Sequence, residues 1–306
     1  MSRRRSLPPT LAQRPFATAD ALTNGLGEWR LRADDLARPF HGVRVTHPFL
    51  PTVDGLAFAY ATLMPAEQFF SHLTAAHLLG LRLPERPDLT SLHVSTPAPG
   101  RAPRRRGVIG HQLATSVPLV TVGGGLRCSG PVATWIMLGA TLSLDDLIVM
   151  GDGLIGRQNP LASMSELEVA VAAQAGCPGA SRLRETLSHL RPRTDSARET
   201  MLRLMIVRAG FPEPFVNHEI RNEYGAFVAL GDLAYPEYRV LLEYDGGDHR
   251  TDEKQFHRDI DRLDDVMELG WRVIRVNKSL MARPPSLFGK LRTALIAAGW
   301  SGANPS

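Results

Sequence analysis

Gly231-Asp232-Leu233-Ala234-Tyr235-Pro236-Glu237-Tyr238-Arg239-Val240-Leu241-Leu242-Glu243-Tyr244-Asp245-Gly246-Gly247-Asp248-His249 is the stretch on which the fold turns. It reads as two short apolar strands joined by the Tyr-Pro-Glu turn, with carboxylates at positions that packing does not need. Side chains alternate along a strand, so Glu243 and Asp245 are expected on one face and Val240, Leu242 and Tyr244 on the other. If Asp232 lies across from them, three carboxylates converge. Like charges held that close cannot all stay ionised without a cation or a proton between them, and an all-oxygen donor set suits Mg²⁺, with Mn²⁺ as its substitute. His249, just past the Gly-Gly turn, is positioned in the chain to move a proton at neutral pH. The plain alternative for each acid taken singly is a solvated strand end.

Outward from this stretch, the C-terminal third alternates in a definite order. Residues 196–210 carry apolar positions at Met201, Leu202, Leu204, Met205 and Ile206 and stop at Gly210-Phe211-Pro212, the pattern of a helix. Strands are expected over 215–220, 227–235 and 238–244. Phe256, Ile260, Leu263 and Met267 recur at helical spacing over 252–269, closed by Gly270, and a strand over 271–276 and a helix over 286–298 complete the chain. The resulting order is αβββαβ.

Asp232, then Glu243-x-Asp245-Gly246, then His249, continued by Asp259-Ile260-Asp261-Arg262 and Leu269-Gly270-Trp271-Arg272-Val273-Ile274-Arg275, resembles the metal-dependent PD-(D/E)xK nuclease superfamily. Within it the likeness is to small endonuclease-like domains related to very-short-patch-repair endonucleases. That resemblance implies a restriction-endonuclease-like core over 195–306 and Mg²⁺-dependent phosphodiester hydrolysis on DNA. It implies that Asp232 and Glu243 hold the metal, with Asp245 as a further ligand or as the orienter of His249. Glu199, at the start of the first helix, would complete the metal shell; a carboxylate stabilised by the helix dipole is the competing account. Arg258 and Arg262, one helical turn apart, would grip a phosphate or pair with the carboxylates. The superfamily commonly has lysine where this chain has Asp245, so Lys254 or His249 is expected to stand in.

Upstream, residues 1–14 are rich in Arg and Pro and are expected to form a basic flexible arm. From Thr18 to Leu36 a helix ending at Gly25 and a second running to about Leu36 are expected, followed by a β-wing at Gly42-Val43-Arg44-Val45. This head, over 15–46, resembles the winged-helix module of AbiEi-type antitoxin proteins, which implies DNA or partner binding by its second helix, through Arg30 and Arg32. Ser71-His72-x-Thr74-Ala75-Ala76-x-Leu78-x-Gly80-Leu81 resembles the middle of the same proteins, and 47–190 is expected to be a mixed α/β region, with a helix over 66–79. Arg104-Arg105-Arg106 forms either a phosphate contact or a solvated loop. A domain boundary is expected near residue 190, and the class is a multidomain α+β or α/β protein.

Composition bounds the rest. The chain has 306 residues, 43% apolar, with a formal net charge of +4 and a pI near 9.4, a mild lean toward an anionic partner. No run approaches the length of a membrane span, and Met1-Ser2-Arg3-Arg4-Arg5 leads into Pro8-Pro9 rather than an apolar segment, so a cytoplasmic protein without membrane association is expected. Cys128 and Cys177 lie far apart with no metal-type spacing and are expected to be free thiols. The two resemblances imply three function classes: a Mg²⁺-dependent DNA endonuclease, a non-catalytic DNA-binding regulator on a degenerate nuclease fold, and a protein-interaction module that senses a toxin or phage component, with a protein partner or a homodimer as further partner expectations.

Overall fold

The computed structural model describes residues 6–245 and 262–302. The chain divides into two compact units, Met1–Asp146 with Glu166–Arg184, and Leu147–Ser165 with Glu185–Ser306. Both are mixed α/β, and among the described residues no helix is long and apolar enough to cross a membrane. The second unit thus takes in 147–165 as well as the region beyond 190. Its reason is Asp152, which is fully buried against Arg203 at 3.0 Å and also accepts from the Arg191 N–H at 2.7 Å and the Thr200 hydroxyl at 2.9 Å.

In the first unit, β1 (Phe16–Ala17), β2 (Leu36–Ala37) and β3 (Val43–Thr46) form a small sheet in the order β1-β3-β2. The helices Thr18–Thr23 and Glu28–Leu31 pack with it around Phe16, Ala21, Leu26, Leu31 and Leu36. The second helix is therefore shorter than expected: Leu36 is drawn into a strand opposite Thr46, and its side chain is buried from there.

A five-stranded sheet follows, built from β4 (Phe69–Phe70), β5 (Leu92–Pro97), β6 (Val108–Leu113), β7 (Leu119–Val122) and β8 (Leu126–Ser129) in the order β6-β5-β4-β8-β7. Helical periodicity over 66–79 is overridden at its start. Phe69 and Phe70 pair with Ser95 and Val94 across the sheet and are almost wholly buried, so the helix begins only at His72 and runs to Leu78. Gly124 and Gly125, with φ of 73° and 84°, turn the β7–β8 hairpin, a conformation that costs glycine little. Both cysteines are free, Cys128 buried and Cys177 exposed.

The second unit holds β9 (Phe215–Arg221), β10 (Phe227–Tyr235), β11 (Val240–Asp245) and β12 (Arg272–Asn277) in the order β12-β11-β10-β9. β9, β10 and β11 form an antiparallel meander, and β12 runs parallel to β11. One face, with Leu233, Tyr235, Val240 and Leu242, packs on Leu202 and Ile206 of the Ala197–Arg208 helix and on Leu287 and Leu291 of the Pro284–Ala297 helix. Ala229, Ala234 and Leu241 form a smaller cluster with Val266, on the helix at 262–268. Within that helix Leu263 and Val266 are buried, whereas Met267, expected in the buried stripe, is 48% exposed.

Candidate functional site

The acidic site grows from the point where the β10–β11 ladder ends. Backbone pairing runs from Tyr235↔Val240 through Leu233↔Leu242. One step further, carboxylates take over: Asp232 Oδ2 accepts from the Tyr244 N–H at 2.8 Å, and Glu243 Oε1 accepts from the Asp232 N–H at 3.4 Å. Each acid is thereby tied to the other's strand, and the two sit side by side in the sheet.

A change of phase in β10 supports this placement. Ala229 and Ala234 belong to the same cluster although they lie five positions apart, an odd spacing, so the side-chain alternation changes phase between them while the backbone register with β9 is kept. Facing the slip, on β9, is buried Asn217, held at φ 46°. Gly231 makes the slip possible, because a Cβ there would lie 2.5 Å from Leu241 Cδ1.

Burial is the main force on the proton affinity of both acids. It pushes Asp232 up to about 8, reinforced by repulsion from Glu243 and then Glu199, and opposed by the Tyr244 N–H and Arg262. Glu243 is raised for the same first reason and pulled back by Arg262, whose Nη2 lies 3.3 Å from Glu243 Oε2 while its Nη1 donates to the Leu230 carbonyl at 2.9 Å. Two such groups titrate as a unit, and at neutral pH they hold a proton between them.

Glu199 stands in a capped helix start. Ser196 Oγ accepts from the Glu199 N–H at 3.1 Å, and Glu199 Oε2 accepts from the Asp195 N–H and from Asn217 Nδ2, both at 2.9 Å. It is buried and near enough to repel Asp232, yet its Oε2 is engaged by the cap and by Asn217. Asp245 pairs with Arg275 of β12 at 3.0 Å. No three carboxylates among the described residues bring oxygens within 4.8 Å of one another.

The donor set fits a hard divalent cation in one specific way. Mg²⁺ is usually held by one or two carboxylates, with water and phosphate oxygens completing its shell. Asp232 and Glu243 would be those two, and a cation there relieves the same repulsion that the shared proton now relieves.

The remaining sequence-expected residues are distributed as follows. His249, Lys254 and Arg258 lie outside the described residues. Arg30 is buried in a bidentate pair with Asp35, at 2.8 and 2.7 Å, and Arg32 is exposed beside Glu28 at 3.0 Å. Asn217 and Arg275 are neighbours of the site that sequence reasoning missed. Asn217 lies in a strand with no motif around it, and Arg275 was read only as part of the Leu-Gly-Trp continuation; neither carries a local signal for its contact.

No protein-family model matches the chain. It is similar to the uncharacterized proteins MT2308 and Rv2248 of Mycobacterium tuberculosis, each 31% identical over 121 residues, which is 40% of this chain and 44% of theirs. The chain therefore spans less than half the length of these curated relatives. A crystal structure of the RV2827C protein from Mycobacterium tuberculosis aligns with 73% of this chain and 93% of its own at 16% identity, with a TM-score of 0.39.

Proposed function

We propose that this chain is a Mg²⁺-dependent phosphodiesterase acting on DNA, with a PD-(D/E)xK-type endonuclease domain over 195–306 and an N-terminal DNA- or partner-binding module. The observation that carries the reading is the pairing of Asp232 and Glu243 where the β10–β11 ladder gives way to side chains, with proton affinity raised by burial and mutual repulsion. Further support comes from the order helix, three-stranded meander, helix, parallel fourth strand, which is that of the restriction-endonuclease-like core.

In this mechanism Asp232 and Glu243 would hold the cation, which takes the place of the proton that relieves their mutual repulsion. Arg262, bonded to both Glu243 and the Leu230 carbonyl, fixes how the Glu243 carboxylate is presented. Asn217 and the Asp195 N–H hold Glu199 beside the pair, where its charge favours a cation further. The bound ion would supply polarisation of the scissile phosphate and a lowered pKa for the attacking water.

The test incubates full-length protein with supercoiled plasmid in Mg²⁺ or in chelator. Mg²⁺-dependent nicking is expected, lost in Asp232→Ala and Glu243→Ala variants that retain their circular dichroism spectrum. Nicking that survives both substitutions, or an absence of nicking in Mg²⁺ and Mn²⁺ alike, refutes the proposal.

A second reading rests on the arginine pairs of Glu243 and Asp245, which give both acids a partner without any metal. Under it the chain is a non-catalytic DNA-binding regulator on a degenerate nuclease fold. A salt-dependent gel shift that persists in Asp232→Ala and Glu243→Ala, without cutting, would select this reading.

A further inference from the structure

Three histidines that the acidic site does not use meet in the N-terminal unit. β5 and β6 run parallel with Ser95 opposite His111, and alternation places His93 on the same side of β5 as Ser95. His72 opens the His72–Leu78 helix. One ring nitrogen from each of His72, His93 and His111 lies within 4.8 Å of the other two, and His93 Nδ1 is 3.0 Å from His111 Nε2. The rings stack, with centroids 3.8 Å apart for His72 and His111 and 5.2 Å for His93 and His111.

The backbone that carries them is held on both sides. The Ser71 N–H donates to the His93 carbonyl at 3.0 Å, and Thr74 Oγ1 accepts from the His93 N–H at 2.7 Å. The Ser95 hydroxyl donates to Ser71 Oγ at 2.7 Å, and Ser71 Oγ lies 3.0 Å from His72 Nδ1. His72 itself takes φ of 49°, a left-handed conformation that costs a non-glycine residue roughly 1 kcal/mol or more and that recurs at functional sites. Burial, then repulsion among the three rings, pushes His72 down to about 3; burial and His111 push His93 down to about 4.

We propose that His72, His93 and His111 bind one late first-row transition-metal ion of the Zn²⁺, Co²⁺ or Ni²⁺ kind, with the remaining coordination positions open to water or an external ligand. Imidazole suits these ions, whereas Mg²⁺ prefers oxygen. At metal–nitrogen bonds near 2.05 Å, tetrahedral ligands stand about 3.3 Å apart, so the widest pair needs to close by no more than about 1.5 Å. Rotation of the rings about χ2 supplies movement of that size while the strands stay in place.

The experiment uses tag-free, full-length protein stripped with chelator, dialysed against Zn²⁺ for metal counting and titrated with Co²⁺ while its visible spectrum is followed. One tightly bound ion per chain is expected, with bands of a low-coordinate imidazole site that excess Mg²⁺ does not displace. His93→Ala and His111→Ala should each weaken binding by at least about tenfold, because loss of a direct ligand costs no less than loss of its support. The double variant Asp232→Asn with Glu243→Gln should bind as the unmodified chain does. Failure of the unmodified protein to take up a stoichiometric ion overturns the proposal without reference to any variant. Binding that is unchanged by the histidine substitutions, or lost with the acidic pair, overturns it as well. His111→Gln, which keeps a polar group on β6, serves if the alanine variants do not fold.

Discussion

Replacing Asp232 by Asn tests the electrostatics of the acidic pair directly. Burial, then repulsion from Glu243, pushes the Asp232 carboxyl up to about 8 in the folded chain, against its ordinary value of 3.8. Because the folded state binds more protons in this window, stability conferred by the protonated group is complete below about pH 4 and is lost as pH rises toward 8. At about 1.4 kcal/mol per unit the loss is at most roughly 6 kcal/mol, and with Glu243 sharing the proton and Arg262 nearby a difference of about 2–4 kcal/mol is expected. Asn is neutral and nearly isosteric, and its amide oxygen can still accept from the Tyr244 N–H. Urea unfolding of both proteins in chelator, at steps from pH 5 to 9, gives the comparison. The variant's advantage should grow through this range and level off above pH 8, since the histidines and the other groups remote from the pair cancel in the difference. Mg²⁺ added at pH 8 should stabilise the parent and not the variant. Parent and variant curves that stay parallel, within about 0.5 kcal/mol across the range, would refute the reasoning.

Other perturbations probe the surroundings. Glu199→Gln keeps an acceptor for the Asp195 N–H while removing the charge that repels Asp232, so the pH window of Asp232-linked destabilisation should move to lower pH in the same urea series. An unmoved window would show that Glu199 acts only as a cap. Arg203→Met leaves Asp152 buried without its guanidinium and should cost about 3–5 kcal/mol by thermal unfolding, with part recovered when Asp152→Asn is added. A loss under about 1 kcal/mol would contradict the buried ion pair. Gly231→Ala places a Cβ against Leu241 and Ile220 and should cost about 1–3 kcal/mol, partly relieved by Leu241→Val, which removes the nearest methyl. Equal stability of Gly231→Ala and the parent would mean that β10 tolerates a side chain at the slip.

Local signals were readable where a segment packs against its own surroundings in the expected way. The 227–235 strand and the helix after Ser196 follow from alternation, periodicity and punctuation, and the structure has them as Phe227–Tyr235 and Ala197–Arg208. Where a non-local partner competes, the local signal misleads. Leu36 continues a helical pattern but is taken by Thr46, and Phe69-Phe70 sits inside a helical pattern but is taken by Val94 and Ser95. Backbone pairing and full burial of two aromatic rings outweigh a helical propensity worth tenths of a kcal/mol per residue.

At the acidic site, side-chain alternation specified the face of Glu243 and Asp245 but not their partners. Arg275 arrives on β12 through a parallel pairing, and it takes Asp245, while Arg262 comes from a helix to reach Glu243. His72, His93 and His111 show no spacing that a metal motif would have, since they are collected by strand order rather than by sequence distance.

The amino-acid order by itself determined which segments are apolar, where turns and caps fall, and that Asp232 and Glu243 flank one hairpin, because these depend on neighbours within a few residues. The tertiary structure alone decided that the β10–β11 register buries Asp232 beside Glu243, that 147–165 joins the C-terminal unit through Asp152, and that three distant imidazoles come together. Those outcomes depend on sheet register and on the satisfaction of buried polar groups, which only the assembled chain defines.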